Sequence, residues 1–166
     1  MNHLSNCKLI SVEEADVERK KIRREGKAIV LTNGCFDLLH AGHVYSLQEA
    51  SQLGDELWIL LNSDESVHGL KGASRPIVPE QERAFCLAGL SCVSRVVIFN
   101  TKRITKEIRI LEPDVYVKAG DYTLDTLHGE ERDALDKIGT RIQFLPYAEG
   151  ISATRLIEKI RTMDPA

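Results

Sequence analysis

Two histidines, His40 and His43, sit three residues apart in the stretch Thr32-Asn33-Gly34-Cys35-Phe36-Asp37-Leu38-Leu39-His40-Ala41-Gly42-His43, between a short apolar run and a segment with helical spacing. Residues three apart share one face of a helix, so both imidazoles are expected on one side of its first turn. A helix start offers unpaired amide N–H groups and the positive end of the helix dipole, which together favour phosphate. Gly34 permits a tight turn or close backbone approach, and Gly42 removes a side chain where a ligand would press on the helix. Phosphoryl-type transfer asks little covalent chemistry of a protein. It needs donors placed to stabilise charge on the equatorial oxygens while the attacking and leaving groups stay in line. Paired imidazoles at a phosphate-binding helix start meet that need. Zinc is the competing use of such a pair, but it wants further Cys, His or carboxylate ligands, and Asp37 or Cys35 would have to supply them. No residue is therefore read as a metal ligand.

Cations and hydroxyls recur further along. Lys71, in a glycine-flanked stretch read as a loop, has a mobile ammonium able to reach a triphosphate or an acceptor phosphate. Arg75, before Pro76, and Arg83, in the next helical segment, are candidate phosphate forks, although an arginine in a helix is usually solvated or ion-paired. Asp64 ends the second apolar run, where its side chain could equally cap a following helix. Lys118, Gly120, Asp121 and Tyr122 follow the fourth run, and Ser152 and Thr154 open the last helical segment. A hydroxyl there is ordinarily an N-cap contributing about 1 kcal/mol.

Such residues need strand ends to hold them. Apolar runs at 28–32, 57–61, 96–99, 115–117 and 142–145 suit strands buried on both faces, and segments with helical spacing lie between them at 41–53, 80–90, 103–111 and 130–138. With an amphipathic stretch at 152–161, the alternation predicts a single α/β domain: a Rossmann-like, doubly wound, parallel five-stranded sheet with helices on both faces. Ligands in such folds sit beyond the carboxyl ends of the strands at the switch point, here the loops after residues 32, 62, 99, 118 and 146. Residues 1–27 read as a helical lead-in, capped at Ser11, solvent-exposed and ended by Gly26, and residues 28–166 as the domain proper.

At 166 residues and 43% hydrophobic, the chain suits one core; with 28% charged residues and a net charge of -3 it lacks the basic footprint of a nucleic-acid binder. It has no apolar stretch long enough for a signal peptide or a membrane span, so a cytoplasmic protein with no membrane partner is expected. Cys7, Cys35, Cys86 and Cys92 form no CxxC pair and read as small buried thiols. No GxGxxG follows any strand, which disfavours a nicotinamide dehydrogenase.

The HxGH string His40-Ala41-Gly42-His43, preceded by GCFDLL, resembles the cytidylyltransferase-like nucleotidyltransferases. The likeness covers about residues 8 to 161, through Asn62-Ser63-Asp64, Leu70-Lys71-Gly72, Ser74-Arg75-Pro76, Glu82-Arg83, Lys118-Ala119-Gly120-Asp121-Tyr122 and Glu149-Gly150-Ile151-Ser152-Ala153-Thr154. Within that family the TNGCFDLLHAGH, NSD…LKG…SRP and KAGDY strings are similar to the heptose 1-phosphate adenylyltransferases, whose usual KGGDY differs from this chain by one residue. The resemblance implies a nucleotidyltransferase domain at 28–166 that moves AMP from ATP onto a heptose 1-phosphate and releases pyrophosphate. It implies His40, His43 and Lys71 as catalytic. Cys35, Phe36, Gly42, Arg83, Gly150, Ile151, Ser152 and Thr154 would meet the nucleotide, Cys35 and Phe36 through backbone amides. Asp64, Arg75, Lys118, Gly120, Asp121 and Tyr122 would meet the acceptor, Asp121 at a sugar hydroxyl or a metal-bound water and Tyr122 against base or sugar. Magnesium arriving with the triphosphate, and a homodimer, are also implied. Glycerol-phosphate cytidylyltransferases, which use CTP, look similar at HxGH and EGIS-x-T, but carry a tryptophan near Tyr122 and an arginine near Tyr147 that this chain lacks.

Overall fold

The computed structural model describes residue 4 and residues 6–146 and 152–163. Its elements alternate as expected. In chain order they are α1 (Val12–Arg24), β1 (Ile29–Gly34), α2 (Ala41–Ser51), β2 (Glu56–Asn62), α3 (Asp64–Lys71), α4 (Glu80–Ala88), β3 (Arg95–Phe99), α5 (Thr105–Leu111), β4 (Val115–Ala119), α6 (Gly129–Ile138), β5 (Arg141–Leu145) and α7 (Ala153–Arg161). The five strands form one parallel sheet in the order β3-β2-β1-β4-β5. The order reverses at β1, whose neighbours are β2 and β4, so the crevice for a ligand opens where those two strands diverge.

Side chains alternate across each strand, and this divides the core. Leu31, Trp58, Leu60, Val97 and Tyr116 face one side with Ala15 and Ile22 of α1, Ile108 of α5 and Leu135 of α6. Val30, Ile59, Leu61, Val96 and Val117 face the other with Leu47 of α2 and Leu87 of α4. Both faces are therefore covered, as continuous apolar strands require.

The N-terminal segment is less detached than its charge suggests. Ser11 accepts the Glu14 amide and Glu14 accepts the Ser11 amide, a full capping box. The helix is not wholly exposed, because Ala15, Arg19 and Ile22 are buried. Arg19 donates to the carbonyls of Leu111 and Glu112 and pairs with Asp114, which in turn accepts the Ile29 amide at the start of β1. Two further readings are corrected. The segment 64–71 is a helix, begun by the Ser63 hydroxyl, which accepts the Ser66 amide. None of the four cysteines is buried: Cys7 and Cys86 are exposed, Cys35 and Cys92 partly so, because Cys86 points outward from α4 and Cys7 lies in the turn before α1.

Candidate active site

The loop after β1 is shaped by a close approach. A Cβ on Gly34 would stand 3.1 Å from the Phe36 ring, and Phe36 itself takes a left-handed backbone, φ 45°, uncommon for a bulky residue. That conformation sets the Phe36 ring 5.2 Å from His43 and turns the next residue, Asp37, inward. Asp37 accepts the amides of Ile77 and Val78 and the Arg75 guanidinium at 2.6–3.0 Å. Burial alone pushes its carboxyl up; the Val78 amide, Arg75 and the Ile77 amide outweigh it and hold the group below the usual range.

His40 is the N-cap of α2, and its Nδ1 accepts the His43 amide at 3.3 Å. The proton of the neutral ring therefore sits on Nε2. The His40 and His43 rings stack at 3.8 Å with 17° between their planes. Burial lowers the pKa of His40, and burial followed by the His40 charge pushes His43 down to about 4. Both rings are neutral at pH 7, poised to donate hydrogen bonds without a protonation step.

A cleft of about 520 Å³ lies over the carboxyl ends of β1 and β4, lined by His43, Lys71, Lys118, Tyr122 and Ala153 among others. It gathers residues from the loops after β1 and β4 and from the starts of α2 and α7. Lys118 is buried, donates to Asn33 Oδ1 at 2.5 Å, and stands 5.0 Å from the centre of the Tyr122 ring. Burial pushes its pKa down to about 8. Gly120 has φ 109°, a conformation open to glycine, and turns the chain so that Asp121 and Tyr122 reach the surface. Ser152 accepts the Arg155 amide as N-cap of α7, and Thr154 is exposed. Gly150 and Ile151 lie outside the described residues.

Other expected residues are placed differently. Lys71 is the exposed last residue of α3, not a loop lysine, and its charge is felt at His43. Arg83 is no phosphate fork: its side chain is fully covered, and it donates to the carbonyls of Cys35, Asn62 and Val78 and to Asp64 Oδ1. It ties the ends of β1 and β2 to the chain entering α4. Asp64 is correspondingly committed to Arg83, and Arg75 to Asp37, so neither offers a free charge to an acceptor. Gly42 is buried in the first turn of α2, whereas Cys35, whose carbonyl Arg83 engages, and Phe36 line the cleft. Residue types alone left Asn33, Lys102, Arg103, His128 and Glu131 unnoticed at the cleft. The signal for Lys102 and Arg103 was their place after the third strand, a loop already expected to face the ligand. Among the described residues no three His, Cys, Asp or Glu side chains are grouped to hold a metal.

A model of the cytidylyltransferase-like family matches residues 31–159. The chain belongs to that family. This cytidylyltransferase-like chain is a nucleotidyltransferase, and His40 and His43 stand at the start of its α2. It is 50% identical over 138 residues to the bifunctional protein HldE of Syntrophotalea carbinolica, covering 83% of this chain and 28% of that one. The bifunctional protein HldE of Geotalea uraniireducens is 46% identical over 158 residues, 95% of this chain and 32% of that one. The cytidylyltransferase-like chain thus spans about a third or less of these relatives. Among solved structures, the lipopolysaccharide core biosynthesis protein of Thermoplasma volcanium superimposes with a TM-score of 0.61 at 27% identity, over 74% of this chain and 98% of that one. The pantoate-beta-alanine ligase of Francisella tularensis shares the fold, at a TM-score of 0.60 and 12% identity over 93% of this chain and 78% of that one. No helix among the described residues is long and apolar enough to cross a membrane.

Proposed function

We propose that the chain transfers AMP from ATP to a heptose 1-phosphate, giving ADP-heptose and pyrophosphate. The observation that carries this is one cleft lined both by His43, on whose neutral ring His40 stacks, and by Lys118, Ala119 and Tyr122. The likeness to HldE proteins and to a lipopolysaccharide core biosynthesis protein supports the acceptor class. The acceptor phosphate attacks the α-phosphorus directly and in line, while His40 Nε2 and His43 donate to the charge growing on the phosphate oxygens. Ser152 and the amides opening α7 receive the departing phosphates. Lys118 and Asp121 meet the hydroxyls of the sugar. Magnesium, bound by the triphosphate when present, offsets charge at the transferring phosphorus. The cleft carboxylates Asp37 and Glu131 already accept protein donors, so the ion arrives with the nucleotide.

The test is pyrophosphate release measured for each nucleoside triphosphate against heptose 1-phosphate and glycerol 3-phosphate. ATP with heptose 1-phosphate should give the highest kcat/KM. A higher value for CTP with glycerol 3-phosphate would make the chain a glycerol-phosphate cytidylyltransferase. His43→Ala should lower kcat by about 10²–10³ with its folding intact; near-wild-type turnover would remove His43 from the mechanism.

A further inference from the structure

The cleft holds more positive charge than the histidine and Lys118 sites account for. Lys102 and Arg103, in the loop between β3 and α5, line it together with Lys71 and Lys118. Among the described residues no carboxylate lies within ion-pair distance of Lys71, Lys102 or Arg103. Of the cleft's own carboxylates, Glu131 offsets part of the charge on Lys118, and neither it nor Asp37 forms an ion pair with Lys71, Lys102 or Arg103. Asp37 is paired with Arg75, and Glu131 accepts the Ile104 amide at 3.1 Å. Arg103 stands near enough to Lys118 to disfavour its charge. Four cations around one cavity repel each other until an anion enters.

Lys102 reaches the cleft by a specific route. Its stem lies across Gly69 of α3, where an added Cβ would stand 2.7 Å from Lys102 Cε and 3.5 Å from Nζ. Glycine is less stable than alanine inside a helix, and Gly69 is not among the residues with positive φ, so its backbone does not require glycine. The bare Cα lets the lysine lie flat on α3, two residues from Lys71.

In-line transfer places the acceptor and the leaving pyrophosphate on opposite sides of the transferring phosphorus. If the start of α7, which lines the cleft at Ala153, receives the pyrophosphate and the acceptor phosphate lies on the β2 and β3 flank of β1, that phosphate meets the loop carrying Lys102 and Arg103. Arg75 and Arg83, on that flank, are already bound to Asp37 and Asp64. We propose that Lys102, seated on Gly69 and assisted by Arg103, binds the phosphate group of the acceptor. This rests on the nucleotidyl-transfer reading but not on which acceptor is used, because every acceptor considered carries a phosphate monoester.

Pyrophosphate release with acceptor and nucleotide varied separately tests it. In Lys102→Ala the KM for the acceptor should rise about tenfold, with the nucleotide KM changed less than about twofold. Lys102→Arg should recover most of the loss. Gly69→Ala keeps every charge and should raise the acceptor KM in the same direction without lowering Tm, since the flexible lysine end gives way before the helix does. Inorganic phosphate, competing with the acceptor, should inhibit Lys102→Ala about tenfold less well. An unchanged acceptor KM in Lys102→Ala, or a rise confined to the nucleotide, overturns the proposal. If the wild type prefers glycerol 3-phosphate, the heptose assignment fails and Lys102 is judged on the KM for that acceptor. If neither acceptor supports turnover, calorimetric titration with inorganic phosphate decides: equal binding by wild type and Lys102→Ala overturns it, and weaker binding by the variant sustains it.

Discussion

His43 titrates near 6.5 in the unfolded chain and near 4 when folded, so between those values the unfolded chain binds more protons. Its contribution is fully present above about pH 6.5 and is lost as pH falls toward 4. Tm measured against pH should decline across that window, and His43→Gln should flatten the decline there. Lys118 gives the opposite limb of the activity profile. Its ammonium is lost above about pH 8, so kcat/KM for the acceptor should fall beyond that point, and Lys118→Arg should move the fall to higher pH because a guanidinium stays protonated. The histidine pair was legible in the sequence because spacing alone places it on a helix start. Arg83 was not, since the letter R in a helical segment says nothing of whether three carbonyls and a carboxylate wait to receive it.

At the level of elements, the loop after β1 is held by two arginines from outside it, the half-buried Arg75 and the buried Arg83. Arg75 and the amides of Ile77 and Val78 converge on Asp37, while Arg83 holds the Cys35 carbonyl. Asp37→Ala would strand those donors and should cost about 3 kcal/mol, read as a lower urea midpoint with an unchanged m-value. Arg83→Ala should act in the same way, lowering stability without a selective rise in nucleotide KM; a pure KM effect would restore the phosphate-fork role. The strands were predicted well because each is an unbroken apolar run between polar residues. Helix α3 was not, because Gly69 and Gly72 made a short helix read as a loop, and the reason for Gly69 lies thirty-odd residues away in Lys102.

For the whole molecule, alternation of strand and helix gave the fold class directly, whereas the strand order and the packing of α1 under the sheet depend on long-range contacts that no local pattern encodes. Arg19 illustrates this: in a helix rich in charge, it alone of the basic residues is buried, against the chain between α5 and β4. The central position of β1 also bears on biosynthesis. Val30 pairs with Val115, and Thr32 donates to the Val117 carbonyl across 85 residues, so one edge of β1 stays open long after β2 has closed the other. At ribosomal rates of 5–20 residues per second that exposure lasts roughly 4–17 s. A chain halted after α5 should therefore scatter light on dilution from denaturant, while one carried through β5 refolds clear, making this strand edge the natural place for a holding chaperone to act.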